Sequence, residues 1–325
     1  MNSTTDHKAW MIFGAHGQLG AALMEALDDR PIADDDESAL RRVVLADIET
    51  CDITEPGAVK RFVDEHRPLS VVFNAAAYTA VDAAESDPEQ ARAVNAAGAE
   101  AVARAAASAR ARLLHFSTDF VFGNGHQKPI DEADAPRPLS IYGATKWEGE
   151  QRARIAHRHT ASLRTSGLYH QSGQNFIASI IGAALTRHRL EVVDDQIVSP
   201  TPATELADLA IRLATSPLFD AGVYHATCQG SCSWYEVACA IVDHLDLEVE
   251  VEPIATEDRP SPARRPSYSV LRNRRLQELG LDDFSHWRDA LFDYLDDHGD
   301  ALIARARGDK PSSSRRPSSP GRDNH

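Results

Sequence analysis

The sequence has few cysteines, little clustered positive charge and no long apolar segment. Its four cysteines, Cys51, Cys228, Cys232 and Cys239, form no CxxC pair, which argues against a zinc site or a disulfide framework. The formal net charge of -15 argues against nucleic acid as a partner. Apolar stretches such as 177–185 are too short to span a bilayer, and the N-terminus is polar. We therefore expect a cytoplasmic protein with no membrane partner.

Short apolar segments alternate with helical ones along the first half of the chain. Strands are predicted at 10–13, 43–47, 71–74, 113–116 and 162–164, with helices at 18–27, 59–66 and 88–111 and around Tyr142. This alternation predicts an α/β protein with a Rossmann-type doubly wound parallel sheet.

The rhythm becomes irregular after residue 165, which indicates a smaller C-terminal α/β substrate lobe. We predict an NAD(P)-binding domain over 1–165, with its core starting at about residue 9. The substrate lobe would cover 166–305, with some chain returning to the Rossmann core. A disordered tail would cover 306–325, because Pro311 onward lacks apolar residues. Residues 251–271 contain four prolines and read as an ordered loop.

Three glycines, Gly14, Gly17 and Gly20, form a GxxGxxG motif between the first strand and the first helix. In that context the first two glycines allow a tight turn and close approach of a pyrophosphate, and the third lets helix and strand pack. Gln18 and Leu19 belong to the same turn. The alternative is that the glycines only turn a corner.

Other candidate cofactor residues follow the second and third strands. Asp47 would accept hydrogen bonds from an adenosine ribose, and a carboxylate there favours NADH over NADPH. Asn74 begins a run of three alanines, Ala75, Ala76 and Ala77, that ends at Tyr78. Small side chains permit close passage of a dinucleotide, although a simple packing turn is the alternative.

Tyr142 and Lys146 are four residues apart, so on a helix they share one face. A lysine ammonium there would stabilise the phenolate and lower the pKa of the tyrosine, which suits a proton donor for carbonyl reduction. Thr118 follows the fourth strand and would hydrogen-bond the carbonyl. The alternatives are a solvated helix face for the pair and a turn cap for Thr118.

These motifs resemble those of the extended short-chain dehydrogenases/reductases, and in particular the dTDP-4-dehydrorhamnose reductases. The match runs from about Trp10 to Leu271 and includes 74–82, 117–122, 142–150, 164–166, 195–201 and 263–266. The resemblance implies reduction of the C4 ketone of dTDP-4-dehydro-6-deoxy-L-mannose to dTDP-L-rhamnose, for polysaccharide synthesis, by NADPH or NADH. A homodimer is one assembly consistent with it.

The resemblance also implies roles for individual residues. The catalytic residues would be Thr118, Tyr142 and Lys146. The cofactor would be held by the glycine turn, Asp47, Asp52, residues 75–78, Tyr142 and Lys146. The nucleotide sugar would be bound by Thr118, Asp119, Phe120, Asn175 and Arg265.

Some positions depart from the family pattern. Gly167 stands where tryptophan generally lines the sugar pocket, Val198 replaces a glycine, and Tyr268 replaces an asparagine. Some family members share a metal between protomers through glutamates; Glu205 matches one of them and Ala22 occupies another position. We predict no metal ligand and leave Mg²⁺ open.

Two other functions compete with this one. The chain could be another nucleotide-sugar reductase or epimerase on the same scaffold. It could also be a non-catalytic regulatory subunit resembling that of methionine adenosyltransferase, although retention of Thr118, Tyr142 and Lys146 counts against that.

Overall fold

A computed structural model of the protein describes residues 8–28 and 42–309. The strands are β1 Ala9–Phe13, β2 Val43–Ala46, β3 Leu69–Asn74, β4 Arg112–Thr118, β5 Thr160–Thr165, β6 Arg189–Val193, β7 Ile197–Val198, β8 Gly222–His225, β9 Cys232–Ser233 and β10 Glu250–Ile254. The helices are α1 Gln18–Asp28, α2 Pro56–Glu65, α3 Val81–Ser86, α4 Pro88–Arg92, α5 Ala99–Ala109, α6 Ile141–Ala156, α7 Phe176–Ala184, α8 Ala203–Thr215, α9 Trp234–His244, α10 Arg274–Leu279 and α11 Trp287–Arg307. A π-helical segment, Ala93–Gly98, joins α4 to α5.

Six parallel strands form the main sheet in the order β2-β1-β3-β4-β5-β8. Side chains alternate between its two faces, as the two-residue period of a strand requires. Trp10 and Ile12 of β1 enter one core cluster, which includes residues of α1 and α8. Met11 and Phe13 enter the other, which includes residues of α2 and α5. The predicted doubly wound parallel sheet is confirmed.

The smaller lobe contains two short sheets. Strands β10 and β6 pair in parallel, and β7 and β9 pair antiparallel. Between β7 and β9, the chain returns to the main sheet and forms its sixth strand, β8. The proposed domain boundaries at residues 165 and 305 stay predictions.

Two predicted segments were partly wrong. Residues 250–254 form β10, not loop, although they include Pro253. β10 pairs with β6 in a two-stranded sheet, so it has a free edge, where the missing N–H of proline can be tolerated. At the C-terminus, α11 continues to Arg307, two residues into the predicted tail, and residues 310–325 lie outside the described part of the chain.

Within residues 8–28 and 42–309, none of the helices combines the length and the apolar character that crossing a bilayer requires.

Candidate active site

The glycine turn connects β1 to α1 at the carboxyl edge of the sheet. Gly14 has a φ of +78°, and a Cβ atom there would lie 2.6 Å from the backbone N of Ala76. A Cβ atom on Gly20 would lie 2.1 Å from the carbonyl oxygen of Gly14, so Gly20 lets α1 pack against the turn. A Cβ atom on Gly17 would meet one oxygen at 3.3 Å. Protein packing therefore explains Gly14 and Gly20 better than Gly17.

The start of α1 offers backbone donors next to this turn. Its first-turn N–H groups, which include those of Gln18 and Leu19, have no acceptors within the helix by helical geometry. Together with the helix dipole, such groups favour a bound anion. The turn that was predicted from the glycine spacing thus has the shape and the donors that a pyrophosphate needs.

Asp47 follows β2 and faces the glycine turn. Its carboxylate accepts hydrogen bonds from the backbone N–H of His16 and of Ile48, each at 2.8 Å. Asp52 instead accepts hydrogen bonds from the backbone N–H and the hydroxyl of Thr54, each at 2.8 Å, through one carboxylate oxygen. Asp47 is therefore held beside the predicted adenosine site, while part of the Asp52 side chain stabilises its own turn.

Residues 75–78 run along the same edge, after β3. Their conformation is held by Asn95, a buried residue of the π-helical segment. The Asn95 amide accepts a hydrogen bond from Tyr78 N at 2.8 Å and donates to Tyr78 O at 3.1 Å and to the Thr145 hydroxyl at 3.2 Å. The sequence analysis missed Asn95 because the alanine-rich segment read as one regular helix; π segments are frequent near functional sites.

Helix α6 carries Tyr142 and Lys146 and starts at the site. Ser140 caps it by accepting a hydrogen bond from Gly143 N at 3.2 Å. Two glycines bring the helix close to its neighbours: a Cβ atom on Gly143 would lie 2.1 Å from Phe120 O, and one on Gly149 would lie 2.0 Å from Asn95 O. This packing brings the Tyr142 phenol beside the Thr118 hydroxyl, which acts on the pKa of the phenol.

The ionisation of Tyr142 differs from the sequence-based expectation. The pKa of Tyr142 is raised to about 12, mainly because the side chain is buried; the neighbouring Thr118 hydroxyl acts to lower this pKa and nearby Asp119 acts to raise it. Lys146 was expected to lower this pKa, but its ammonium donates a 2.7 Å hydrogen bond to Phe116 O. The expected direction was wrong in this structure, because desolvation of the phenolate outweighs the other effects.

Lys146 is also buried, and this changes its own protonation. Burial lowers the pKa of Lys146 to about 8, while Glu150 acts in the opposite direction. The charged and the neutral forms of Lys146 therefore coexist near physiological pH, with the charged form in excess. At neutral pH, Tyr142 is a phenol and most of Lys146 is charged, which is the combination that a tyrosine acid needs.

Asp119 is buried directly after Thr118, and its carboxylate is hydrogen-bonded within the protein. It accepts hydrogen bonds from the hydroxyls of Thr118 at 3.0 Å, Ser166 at 2.9 Å and Ser269 at 2.5 Å. Burial raises the pKa of Asp119, and these three donors counteract the shift. The contact of Asp119 with the nucleotide sugar stays a prediction.

A cleft of about 940 Å³ has residues of α7 and β6 in its wall. Phe120 and Arg265, both predicted to bind the nucleotide sugar, line it. The Phe120 ring also contacts the Tyr142 ring edge to face, with 5.8 Å between the ring centroids, which places the cleft next to the predicted proton donor. Arg265 is paired with Asp82, also in the cleft wall, at 2.8 Å.

Asn175, which was also predicted to bind the substrate, is hydrogen-bonded to other parts of the protein. Its side chain caps α7 by accepting a hydrogen bond from Ala178 N at 3.0 Å. It also donates to the side-chain oxygen of Gln18 at 3.0 Å and to His170 O at 2.8 Å. Asn175 thereby connects the glycine turn to α7, whose first residue, Phe176, lines the cleft.

The departures from the family pattern have different locations. Gly167 has a φ of +56°, and a Cβ atom there would lie 3.1 Å from Pro200 Cα and 3.2 Å from the Trp234 ring, so the indole of Trp234 covers this position. Val198 is buried in β7, and Tyr268 forms a bridge with Ile197 in the lobe. Of these residues, Gly167 lies against Trp234, whose side chain lines the cleft.

Glu205, which matches a metal-binding glutamate of some family members, is hydrogen-bonded within the protein. Glu205 accepts a hydrogen bond from Ser285 N at 3.0 Å, and Ala22 is buried in α1. In the described part of the chain, His16, Asp47 and Glu49 bring three possible ligand atoms within 4.8 Å of one another, but they lie beside the glycine turn and are largely exposed.

Comparison with known proteins gives the family. The family model described as RmlD substrate binding domain matches residues 8–299. The chain belongs to this family. A dTDP-4-dehydrorhamnose reductase of Streptomyces griseus is 39% identical to it, over 87% of this chain and 91% of the relative. A Streptomyces antibioticus protein named probable dTDP-4,6-dihydroxy-2-methyloxan-3-one 4-ketoreductase is 37% identical, over 87% and 92%.

Solved structures agree with this RmlD family membership. The dTDP-4-dehydrorhamnose reductase of Bacillus anthracis, solved in complex with NADP, has a TM-score of 0.82 to this chain at 34% identity. The alignment covers 89% of this chain and 99% of that structure. The resemblance that rested on short motifs is thus confirmed over nearly the whole chain, including the smaller lobe.

Proposed function

We propose that this chain is a dTDP-4-dehydrorhamnose reductase, an NAD(P)H-dependent oxidoreductase that reduces the C4 ketone of dTDP-4-dehydro-6-deoxy-L-mannose to dTDP-L-rhamnose. The observation that carries the proposal is the meeting of Thr118, Tyr142 and Lys146 at the carboxyl edge of the sheet, beside the glycine turn and the cleft. The relatives named above support the substrate.

The residues present fit a nicotinamide dinucleotide. The glycine turn and the first-turn N–H groups of α1 would hold the pyrophosphate, and Asp47 would hold the adenosine ribose. Residues 75–78 would lie alongside the bound cofactor. Lys146 would hold the nicotinamide ribose, because two hydrogens of its ammonium remain beyond the bond to Phe116 O. When bound, the cofactor supplies the hydride for the ketone.

The chain's own residues supply the proton and the orientation. The Tyr142 hydroxyl donates its proton to the ketone oxygen, and its raised pKa keeps it protonated until that moment. Lys146 places positive charge near the phenolate that remains. The Thr118 hydroxyl positions the carbonyl and shares the negative charge that develops on its oxygen. The rings of Phe120 and Trp234, which line the cleft, limit the access of water to the site.

We expect both nicotinamide cofactors to bind, with NADH preferred. The Asp47 carboxylate would repel a 2′-phosphate, and its two backbone donors hold it in place. The Bacillus anthracis structure contains NADP, so discrimination by this single carboxylate is expected to be modest. Steady-state kinetics with each cofactor measure the preference directly.

A second candidate is a reductase for a related nucleotide-linked 4-keto sugar. Gly167 favours it, because the tryptophan that generally lines the sugar pocket at this position is missing, and the Streptomyces antibioticus relative carries the name of a reductase for a different sugar.

A panel assay separates these functions. Purified protein is given NADH or NADPH and one of several nucleotide-linked 4-keto sugars, and the products are identified by NMR. Our proposal predicts the highest kcat/KM with dTDP-4-dehydro-6-deoxy-L-mannose and a dTDP-L-rhamnose product. A higher value with another sugar would favour the second candidate, and no turnover of any sugar would favour a non-catalytic role.

A further inference from the structure

The hydroxyl group of Thr118 makes two hydrogen bonds to the residues that follow it. Its hydrogen is donated to Asp119 Oδ1 at 3.0 Å. Its oxygen accepts from Phe120 N at 3.1 Å. A hydroxyl has one hydrogen and two lone pairs, so these two bonds commit the hydrogen and one lone pair. The acceptor that holds the hydrogen therefore decides where Thr118 can direct it.

Asp119 is held from two other parts of the molecule. Ser166 follows β5, and Ser269 belongs to the segment 267–271, about 150 positions away in the sequence. Both hydroxyls donate to the same carboxylate oxygen, Oδ2, and both side chains are buried. The segment 267–271 is in turn bound to β7, because Ile197 N donates to Ser267 O and Ser269 N donates to Ile197 O.

The donors around Asp119 match an ionised carboxylate. Three hydroxyl groups converge on it, and each can donate a hydrogen that the charged form accepts and a neutral carboxyl accepts less well. Among the described residues, Tyr142 of α6 is a titratable group that interacts electrostatically with Asp119. The residue that follows β5 and the segment 267–271 each direct a serine hydroxyl to the carboxylate.

We propose that Asp119 is a positioning residue, which holds the Thr118 hydroxyl in place for the transition state and is itself held by Ser166 and Ser269. This inference rests on the proposed reductase function. While the ketone is neutral, the carboxylate is the stronger acceptor and keeps the Thr118 hydrogen. As negative charge develops on the ketone oxygen, that oxygen competes for the hydrogen, which can turn toward it without movement of the side chain.

This role differs from the sugar contact that family resemblance implied for Asp119. A residue that binds the sugar directly should change KM when altered. A residue that positions Thr118 should change kcat, because its effect appears in the transition state. The carboxylate should also contribute a pH dependence that responds to its hydroxyl donors, since hydrogen bonds to the charged form lower the pKa of an acid.

The first test uses Asp119→Asn. The amide keeps the shape but offers one acceptor oxygen to three hydroxyl donors, so at least one hydroxyl must turn. We expect kcat to fall by about ten- to a hundredfold, as for loss of a hydrogen bond to a charged group. KM for the sugar and Kd for the cofactor should stay within about threefold. An unchanged kcat, or a loss confined to KM, would overturn the proposal.

The second test uses Ser269→Ala, with Ser267→Ala as its matched control. Ser267 is two residues away, is exposed, and directs its hydroxyl to Asn124. Removal of the Ser269 hydroxyl should raise the pKa of Asp119, so the acidic limb of the kcat profile should move up by about one pH unit. Ser267→Ala should leave the limb in place. Equal profiles for all three proteins would contradict the proposal.

A separate readout does not depend on turnover. Carboxyl ¹³C signals of labelled aspartate can be titrated, with the Asp119 signal assigned by its loss in Asp119→Asn. Its pKa should be higher in Ser269→Ala than in the wild type and in Ser267→Ala. If the wild type reduces no sugar but this shift is seen, the proposed function fails and the hydrogen-bonded arrangement stands. If the pKa does not move, the arrangement itself is wrong.

Discussion

At the scale of single residues, burial shifts the pKa values of two of the proposed catalytic residues. Tyr142 and Lys146 both lose hydration in the site, and this loss moves their pKa values apart, to about 12 for the phenol and about 8 for the ammonium. Near neutral pH the tyrosine therefore keeps its proton, and most of the lysine keeps its charge. Burial thus prepares an acid and its stabilising cation in the same small volume.

Removal of the phenol hydroxyl tests the acid directly. Tyr142→Phe keeps the ring and its edge contact with Phe120, so we expect cofactor Kd within about twofold of the wild type. Turnover should fall by about 10²- to 10⁴-fold, the usual contribution of general acid catalysis. Stopped-flow measurement of cofactor oxidation gives the rate, and Tyr235→Phe on α9 is the control. Near-normal turnover would remove Tyr142 as the proton donor.

The pKa of Lys146 predicts an alkaline limb in the pH profile. The ammonium is the working form, and it is lost as pH rises through about 8, whereas Tyr142 remains protonated up to about 12. We expect kcat/KM, which reports ionisations of the free enzyme and free substrate, to fall above about pH 8. Lys60→Ala, at an exposed site, should keep this limb. A flat profile up to pH 10 would contradict the role given to Lys146.

At the scale of secondary-structure elements, close helix packing brings the proposed catalytic residues Tyr142 and Lys146 to the sheet edge. α6 approaches the backbone at Phe120 through Gly143 and the π-helical segment through Gly149. Backbone contacts of this kind cannot relax as a flexible side chain can. The position of Tyr142 therefore depends on glycines that do no chemistry.

Two glycine substitutions separate packing from helix propensity. In Gly149→Ala the new Cβ would lie 2.0 Å from Asn95 O, so we expect a loss of about 1–3 kcal/mol in the free energy of unfolding. In Gly182→Ala, within α7, nothing lies within 4 Å, so we expect a gain of about 0.5–1 kcal/mol. Urea denaturation measures both. Equal effects of the two changes would show that packing at α6 is not tight.

The sequence predicted the elements of the fold better than the interactions between them. The strand, glycine turn and helix at 10–27 follow from local residue types. The roles of Asn95 and Ser269 depend on contacts between distant parts of the chain, which no local pattern encodes. The pKa of Tyr142 was predicted in the wrong direction because the spacing to Lys146 says nothing about burial.

At the scale of the whole molecule, hydrogen bonds connect the glycine turn to the start of α7. Gln18 accepts a hydrogen bond from Asn175, the cap of α7, and donates to Gln174 O at 3.3 Å. α7 lines the cleft, so a cofactor that orders the glycine turn should also order one wall of the substrate site.

This connection predicts coupled binding. In the wild type, saturation with NADP⁺ should tighten the binding of dTDP by at least about fivefold, a usual size for such coupling. Gln18→Ala should remove most of this effect, whereas Gln171→Ala, whose amide bonds to Glu25, should keep it. Isothermal titration calorimetry with and without NADP⁺ measures the coupling. Equal coupling in the wild type and in Gln18→Ala would disprove the connection.

The central claim is that a ketone, a dinucleotide and three side chains meet at the carboxyl edge of one parallel sheet. A crystal structure with NADP⁺ and dTDP-L-rhamnose tests it most directly. We predict the pyrophosphate at the first turn of α1 and the C4 hydroxyl of the sugar within hydrogen-bonding distance of both Tyr142 and Thr118. A dinucleotide bound away from the glycine turn, or a sugar whose C4 oxygen contacts neither hydroxyl, would contradict the account.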